Sequence, residues 1–310
     1  MSLSINTNFA AVQASHNLAK NNELLMKSMQ RLASGKRIID TSDDAGGLAI
    51  AMKLNSAIEK LKGVSSNIKN SVSFLDVQDG IMQGAAGILE RMSELKSFSQ
   101  DVLKNTADIN TYNTEFQNLQ VQLYQMSKEK FNGISLFATT TEANGGTSAV
   151  FGNNNSSTDN TITIFTTEGG SSGPMVSVHK ALLLSAITFD QNNVSISKAF
   201  GASNTKTLAV SVSGNAKTLA DFTTSFFTQA IENVATLRAQ NGGSMSRLDF
   251  AQTNLDRTRA NLEASYGQIM DVDIAEESTR LAKYQILVQA ASSMLSQANM
   301  MPNTAMMLLG

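Results

Sequence analysis

The first 173 residues contain no proline; the chain's two prolines are Pro174 and Pro302. Proline is the strongest helix breaker, so its absence leaves room for very long helices. Hydrophobic spacing then supplies the positive signal. Leu54, Leu61, Ile68, Leu75, Met82 and Leu89 recur every seven residues. A companion row, Ile50, Ala57, Val64, Ser71, Gln78, Ala85 and Met92, lies three or four residues away. This is the a/d pattern of helices that pack along a narrow seam. A helix over 43–100 would be roughly 85 Å long at 1.5 Å per residue. A rod needs such a helix; a compact globule does not.

The helix is punctuated as expected. Ser42 is the predicted N-cap, and Asp43 and Asp44 complement the positive end of the dipole. Upstream, Ser34-Gly35-Lys36-Arg37 interrupts an earlier helix in which Leu18, Leu25 and Leu32 keep the same step. Residues 106–130 form a second amphipathic helix that turns back at Asn132-Gly133. The last third repeats the theme. Phe227, Val234, Leu248, Leu255, Leu262 and Ile269 share one register, with Asn241 at the skipped position. The register breaks at Asp271-Val272-Asp273. A new one then runs through Ile274, Leu281, Val288 and Leu295.

Residues 139–222 differ in kind. They carry nine charged side chains and are rich in Thr, Ser, Asn and Gly. Alternation in Thr161–Ile164, Met175–Val178 and Leu208–Val212 predicts short strands between turns. The expected fold class is therefore mainly α: a coiled-coil helical rod formed by the two halves of the chain, with a small inserted β-rich outer domain. The expected division is 1–44, 45–138, 139–222, 223–270 and 271–310.

Composition narrows the function. Cysteine is absent, which removes disulfides and thiolate chemistry. A net charge of −2 with no basic cluster argues against nucleic acid. No run of 18 or more apolar residues predicts membrane insertion, and no conventional cleaved signal is expected. The two histidines, His16 and His179, form no zinc pattern, and no nucleophile elbow is present. The expectation is no enzyme, no metal and no cofactor. Gly80, Gly84 and Gly87 read as close approach by a neighbouring helix, Asp43-Asp44 and Asp271-x-Asp273 as helix caps. The fifteen methionines read as adaptable seam packing.

The ordered motifs resemble a known family. Arg31-Leu32-Ala33-Ser34-Gly35-Lys36-Arg37-Ile38, then Asp43-Asp44-Ala45-Gly46-Gly47-Leu48-Ala49-Ile50-Ala51, closely resemble the N-terminal signature of bacterial flagellins. Phe131-Asn132-Gly133 resembles the turn that closes that region. Asp271-x-Asp273-x-Ala275-x-Glu277, Gln285-Ile286-Leu287-x-Gln289-Ala290 and Leu295-x-Gln297-Ala298-Asn299 resemble the flagellin C-terminal region. The resemblance covers about 1–138 and 223–310, while the middle resembles nothing nameable. The final Met306-Met307-Leu308-Leu309-Gly310 departs from the basic end common in the family.

The resemblance implies a filament subunit, secreted to the extracellular flagellum for swimming motility, that polymerises with copies of itself. Implied partners are the flagellar type III export apparatus, a flagellin chaperone and the filament cap. Assembly and rod seams fall to Leu54, Leu61, Ile68, Leu75, Met82, Leu89, Leu248, Leu255, Leu262, Ile274, Leu281, Val288 and Leu295. The resemblance also implies a patch for the vertebrate innate flagellin receptor at Arg91, Leu95 and Glu115. Candidate O-glycan acceptors in the insert are Ser156, Ser157 and Thr158. The nearest rival is a hook–filament junction protein. A family member with a protease insert would need a His-Glu-x-x-His motif, and a secreted coiled-coil effector would have no reason to carry both signatures.

Overall fold

The computed structural model describes residues 8–138, 150–152 and 161–309, with side chains through Met301. Helices dominate: α1 (Phe9–Ser34), α2 (Ala45–Ser99), α3 (Thr106–Met126), the single turn α4 (Leu183–Ala186), α5 (Thr224–Met270) and α6 (Ile274–Leu309). The strands pair only locally and antiparallel. They are β1 (Lys130–Phe131) with β2 (Ile134–Ser135), β3 (Thr161–Phe165) with β4 (Met175–His179), and β5 (Thr188–Asp190) with β6 (Thr205–Thr207). The chain forms two compact units, one of residues 1–59 with 258–310, the other of residues 60–257.

In the second unit the heptad seam is the core. Ile68, Leu75, Met82, Leu89, Met92 and Leu95 from α2 are at most 1% exposed. Val234, Leu237, Leu248 and Leu255 of α5 and Phe116 and Leu123 of α3 are likewise buried. Polar bonds fix the level of α2 against α5. Arg238 donates to both carboxylate oxygens of Asp79 at 2.9 and 3.0 Å. Gln252 donates to Ser65 Oγ at 2.8 Å. The companion row along α2 drifts by one residue. Ala51, Ile58 and Ser65 are buried where Ile50, Ala57 and Val64 were expected, while Gln78, Ala85 and Met92 hold.

Turn chemistry places the elements. Gly35 ends α1 in the left-handed region (φ 69°), with its N–H on Arg31 O. Asn132 and Gly133 (φ 49° and 81°) make the tight turn between β1 and β2. Phe131 of that hairpin meets Phe74 edge-on at 6.1 Å. The N-cap of α2 is Asp44, not Ser42: its carboxylate accepts the Gly47 N–H at 2.8 Å. Of Gly80, Gly84 and Gly87 on α2, only Gly84 is tightly approached; a Cβ there would lie 2.8 Å from Met126 Cε. Gly80 and Gly87 face open space, contrary to the expectation.

The insert is less separate than its composition suggested. Leu183, Ile187, Phe189 and Leu208 are fully buried. Phe189 stacks edge-on against Phe226 at 5.0 Å, and Phe226 continues through Phe222 to Phe116. Buried Asn233 of α5 donates to Ala186 O at 2.8 Å. Gln120 of α3 exchanges two side-chain hydrogen bonds with the Lys217 backbone. Strands stand at Thr161–Phe165 and Met175–His179, but Leu208–Val212 forms none. Leu208 and Val210 instead bond the Ile187 and Gln120 carbonyls and bury their side chains.

Truncating Leu75 to Ala should destabilise the unit by about 2–5 kcal/mol, the range for buried leucines. Urea unfolding monitored by circular dichroism reads the loss; an unchanged midpoint would place Leu75 outside the seam.

Candidate assembly surfaces

The first unit is built from the two ends of the chain. Along α1 the half-buried or buried positions include Ala11, Ala14, Leu18, Asn21, Leu25, Ser28 and Leu32. Along α6 they are Glu277, Leu281, Tyr284, Val288, Ala291, Leu295 and Ala298. Both sets step by three and four, and the two helices pack against each other. One polar pair sits within the stripe: Ser28 donates to Glu277 Oε1 at 2.5 Å, both residues being buried. At the far end, Asn8 Nδ2 donates to Ala298 O at 2.7 Å.

The two terminal signatures meet at the base of this pair. Lys36 and Asp271 form an antiparallel bridge. The Arg37 N–H donates to Met270 O at 2.6 Å, and Val272 N–H to Gly35 O at 3.0 Å. The Arg37 guanidinium closes on Ile269 O at 3.2 and 2.9 Å. Beneath lies a small core of Ile38, Ala51 and Met270, with Leu48, Tyr266 and Ile269 around it. The paired aspartates divide their work. Asp44 and Asp273 cap α2 and α6, the latter through the Ala275 and Glu276 N–H groups. Asp43 takes Lys27 at 2.5 Å and Arg31 at 3.4 Å. Its hydrogen bond with the Lys27 ammonium, aided by the Ile39 and Asp40 N–H groups, holds its carboxyl at about 2, below the ordinary 3.8 despite its burial.

A pair of helices can cover only one stripe of each. Both α1 and α6 carry a second apolar set that stays exposed among the described residues: Val12, Met26 and Met29 on α1, Ile286 and Met294 on α6. Ile286 is 69% exposed and Met294 64%. Isolated exposed aliphatics are ordinary, but a repeated set along two helices marks a surface for association.

The expected seam residues separate by position. Leu61, Ile68, Leu75, Met82, Leu89, Leu248 and Leu255 are buried, and Leu54, Leu262, Leu281, Val288 and Leu295 are half-buried. Ile274 is a departure: it is 66% exposed, and Glu277 begins the buried stripe of α6. The receptor-like patch also differs from expectation. Arg91 and Glu115 are brought together, with Arg91 Nε and Nη2 on the two Glu115 oxygens at 2.8 and 3.2 Å. Glu94 adds a bond at 3.0 Å, and both carboxylates raise the Arg91 pKa. Leu95, however, is 0% exposed: it continues the seam past Leu89 rather than standing beside Arg91. Ser156, Ser157 and Thr158 lie outside the described residues. Among the described residues, no cluster of three or more His, Asp or Glu side chains could hold a metal, and no helix is long and apolar enough to cross a membrane.

Comparison with known proteins accounts for this arrangement of ends. Residues 5–142 match the bacterial flagellin N-terminal helical region, and residues 224–309 match the bacterial flagellin C-terminal helical region. The chain belongs to the bacterial flagellin family. It is 29% identical to the flagellin of Listeria monocytogenes, with 97% of each chain covered. It is 28% identical to that of Bacillus subtilis, over 98% of this chain and 99% of the relative. The flagellar filament 33 kDa core protein of Treponema phagedenis is 27% identical, again over 98% and 99%. Flagellins are structural proteins, so the surfaces that matter are those where copies meet. The two matched regions are those that zip together at Gly35–Arg37 and Ile269–Val272.

Asp43 makes the junction acid-sensitive. A carboxyl held below its unfolded value stabilises the fold above about pH 4, and that stability is lost as pH falls towards 2. The melting temperature of assembled protein should therefore drop between pH 4 and 2. Asp43→Asn should lower it at pH 7 and flatten that drop; a variant with the wild-type profile would remove Asp43 from the junction's stability.

Proposed function

We propose that this chain polymerises into a bacterial flagellar filament by covering the second apolar stripe of α1 and α6 with the same helices of neighbouring subunits. The observation that supports this reading is the pairing itself. The α1–α6 pair buries one stripe internally and leaves Val12, Met26, Ile286 and Met294 in water. A symmetric array of copies offers each subunit an identical partner surface, the usual route to an assembly of one chain type. The division at 1–44, 45–138, 139–222, 223–270 and 271–310 follows the same logic: inner ends, two halves of a rod, and a solvent-facing middle.

In this reading the subunit has no catalytic role, travels through the flagellar export apparatus with a chaperone, and is added beneath a filament cap. Its place is extracellular, in the flagellar filament. The insert's hydroxyls at Ser156, Ser157 and Thr158 serve as O-glycan acceptors, which the intact mass of native filaments decides. Recognition by a vertebrate innate receptor would use Arg91 and Glu115, the accessible members of the expected patch.

Ile286→Glu and Met294→Glu alter side chains that are exposed in the single chain. Both should leave the monomer's melting temperature unchanged and abolish sedimentable filaments. Normal filaments from the double variant would refute the surface. Arg91→Ala should cut monomer signalling in receptor-bearing reporter cells more than tenfold, since an interface hot spot costs at least about 2 kcal/mol. Undiminished signalling would remove that partner.

A further inference from the structure

Two positions of the repeating pattern place an amide where the repeat calls for an apolar residue: Gln78 in the companion row of α2, and Asn241 at the skipped step of α5. The structure brings them to one level of the seam. Both are buried, Gln78 at 1% and Asn241 at 5% exposure. Apolar rungs flank them on both helices, Met82 and Ala85 on α2, Leu237 and Leu248 on α5.

Their amide orientations are fixed by what they donate to. Gln78 Nε2 donates to Leu136 O at 2.6 Å, and Asn241 Nδ2 donates to Leu75 O at 2.9 Å. Flipping either amide would set two oxygens against each other. The amide oxygens, Gln78 Oε1 and Asn241 Oδ1, are therefore committed as acceptors, and both are buried with no donor among the described residues. A buried carbonyl without a donor costs about 1–3 kcal/mol. Gln78 and Asn241 line one small cavity together with His179 at its exposed rim and Ser244, whose hydroxyl is already given to Gln240 O at 3.0 Å. The cavity has room for about one water.

We infer that this layer is a binding site for a single internal water molecule, which donates one hydrogen bond to Gln78 Oε1 and the other to Asn241 Oδ1. Water matches the site in size and in its two donors. The layer gives the seam one rung unlike the others. Seven residues to either side, Ile68 and Met82 on α2 and Val234 and Leu248 on α5 are apolar and buried. A slip of one heptad would press Asn241 against Ile68 or Met82 and strand its amide. A single buried polar position is known to specify register in paired helices at some cost in stability.

The test combines density with coupling. A map of the full-length chain at a resolution that shows ordered solvent should contain one peak about 2.7–3.0 Å from both amide oxygens. Gln78→Leu and Asn241→Leu should each lower the melting temperature, and the double variant should lose clearly less than the sum of the two. Each substitution also strips its own backbone carbonyl of a donor. That loss is private to each site, so non-additivity isolates what the two share. Additive losses would overturn the inference. So would a wild-type map with no peak, or a peak about 2.3–2.4 Å from the oxygens, the distance of a bound cation. The wild-type map decides the question even if a variant fails to fold.

Discussion

Everything in the larger unit hangs on the removal of one apolar stripe of α2 from water. Ile68, Leu75, Met82, Leu89 and Leu95 lose essentially all exposure. At roughly 1.5–3 kcal/mol for each fully buried aliphatic side chain, this row is the largest repeated source of stability along the helix. The stripe needs partners over its whole length, and α3, α5 and the inner half of the insert supply them. That explains why a segment of Ser/Thr-rich, weakly charged sequence folds onto helices. Phe189 and Leu208 fill the end of the same core that Phe116 and Phe226 begin.

The terminal unit obeys the opposite economy. Its two helices share a single half-buried stripe, pinned by Ser28–Glu277 and by the backbone zipper between Gly35–Arg37 and Ile269–Val272. The family signatures are mostly the chemistry of that zipper: a left-handed glycine to stop α1, an arginine to close the carbonyls of α5, and aspartates to start α2 and α6. Directional bonds set the geometry there, and the apolar surface left over is available for neighbours.

Much of this was legible in the residues, for identifiable reasons. Long helices announce themselves when Leu, Ile and Met recur every seven positions without proline. The breaks at Ser34–Arg37 and Asp271–Asp273 carry Gly and Asp in the places that caps require. What escaped was set by phase and by distant packing. Strict heptad counting hid the burial of Ala51, Ile58 and Ser65 and put Ile274 on the stripe, while the family resemblance offered the buried Leu95 for a receptor patch. Nothing local marks Leu208–Val212 as a packed loop, because its alternation is equally that of a strand. Its conformation is decided by Gln120 and Ile187, which lie far away in sequence. The second apolar stripe on α1 and α6 meets no covering side chain among the described residues, so the pattern alone could not say what packs on it.

Asn8 reaches Ala298 across 290 positions, and Ser28 reaches Glu277 across 249. Contacts of such sequence separation are the last a growing polypeptide can make. While the chain is being synthesised, α1 waits through the making of α2 to α5 with no α6 to meet. A product that stops early never acquires the pair at all. Order of manufacture is thereby written into the geometry: a copy that stops before Glu277 keeps α1 but cannot close it on α6.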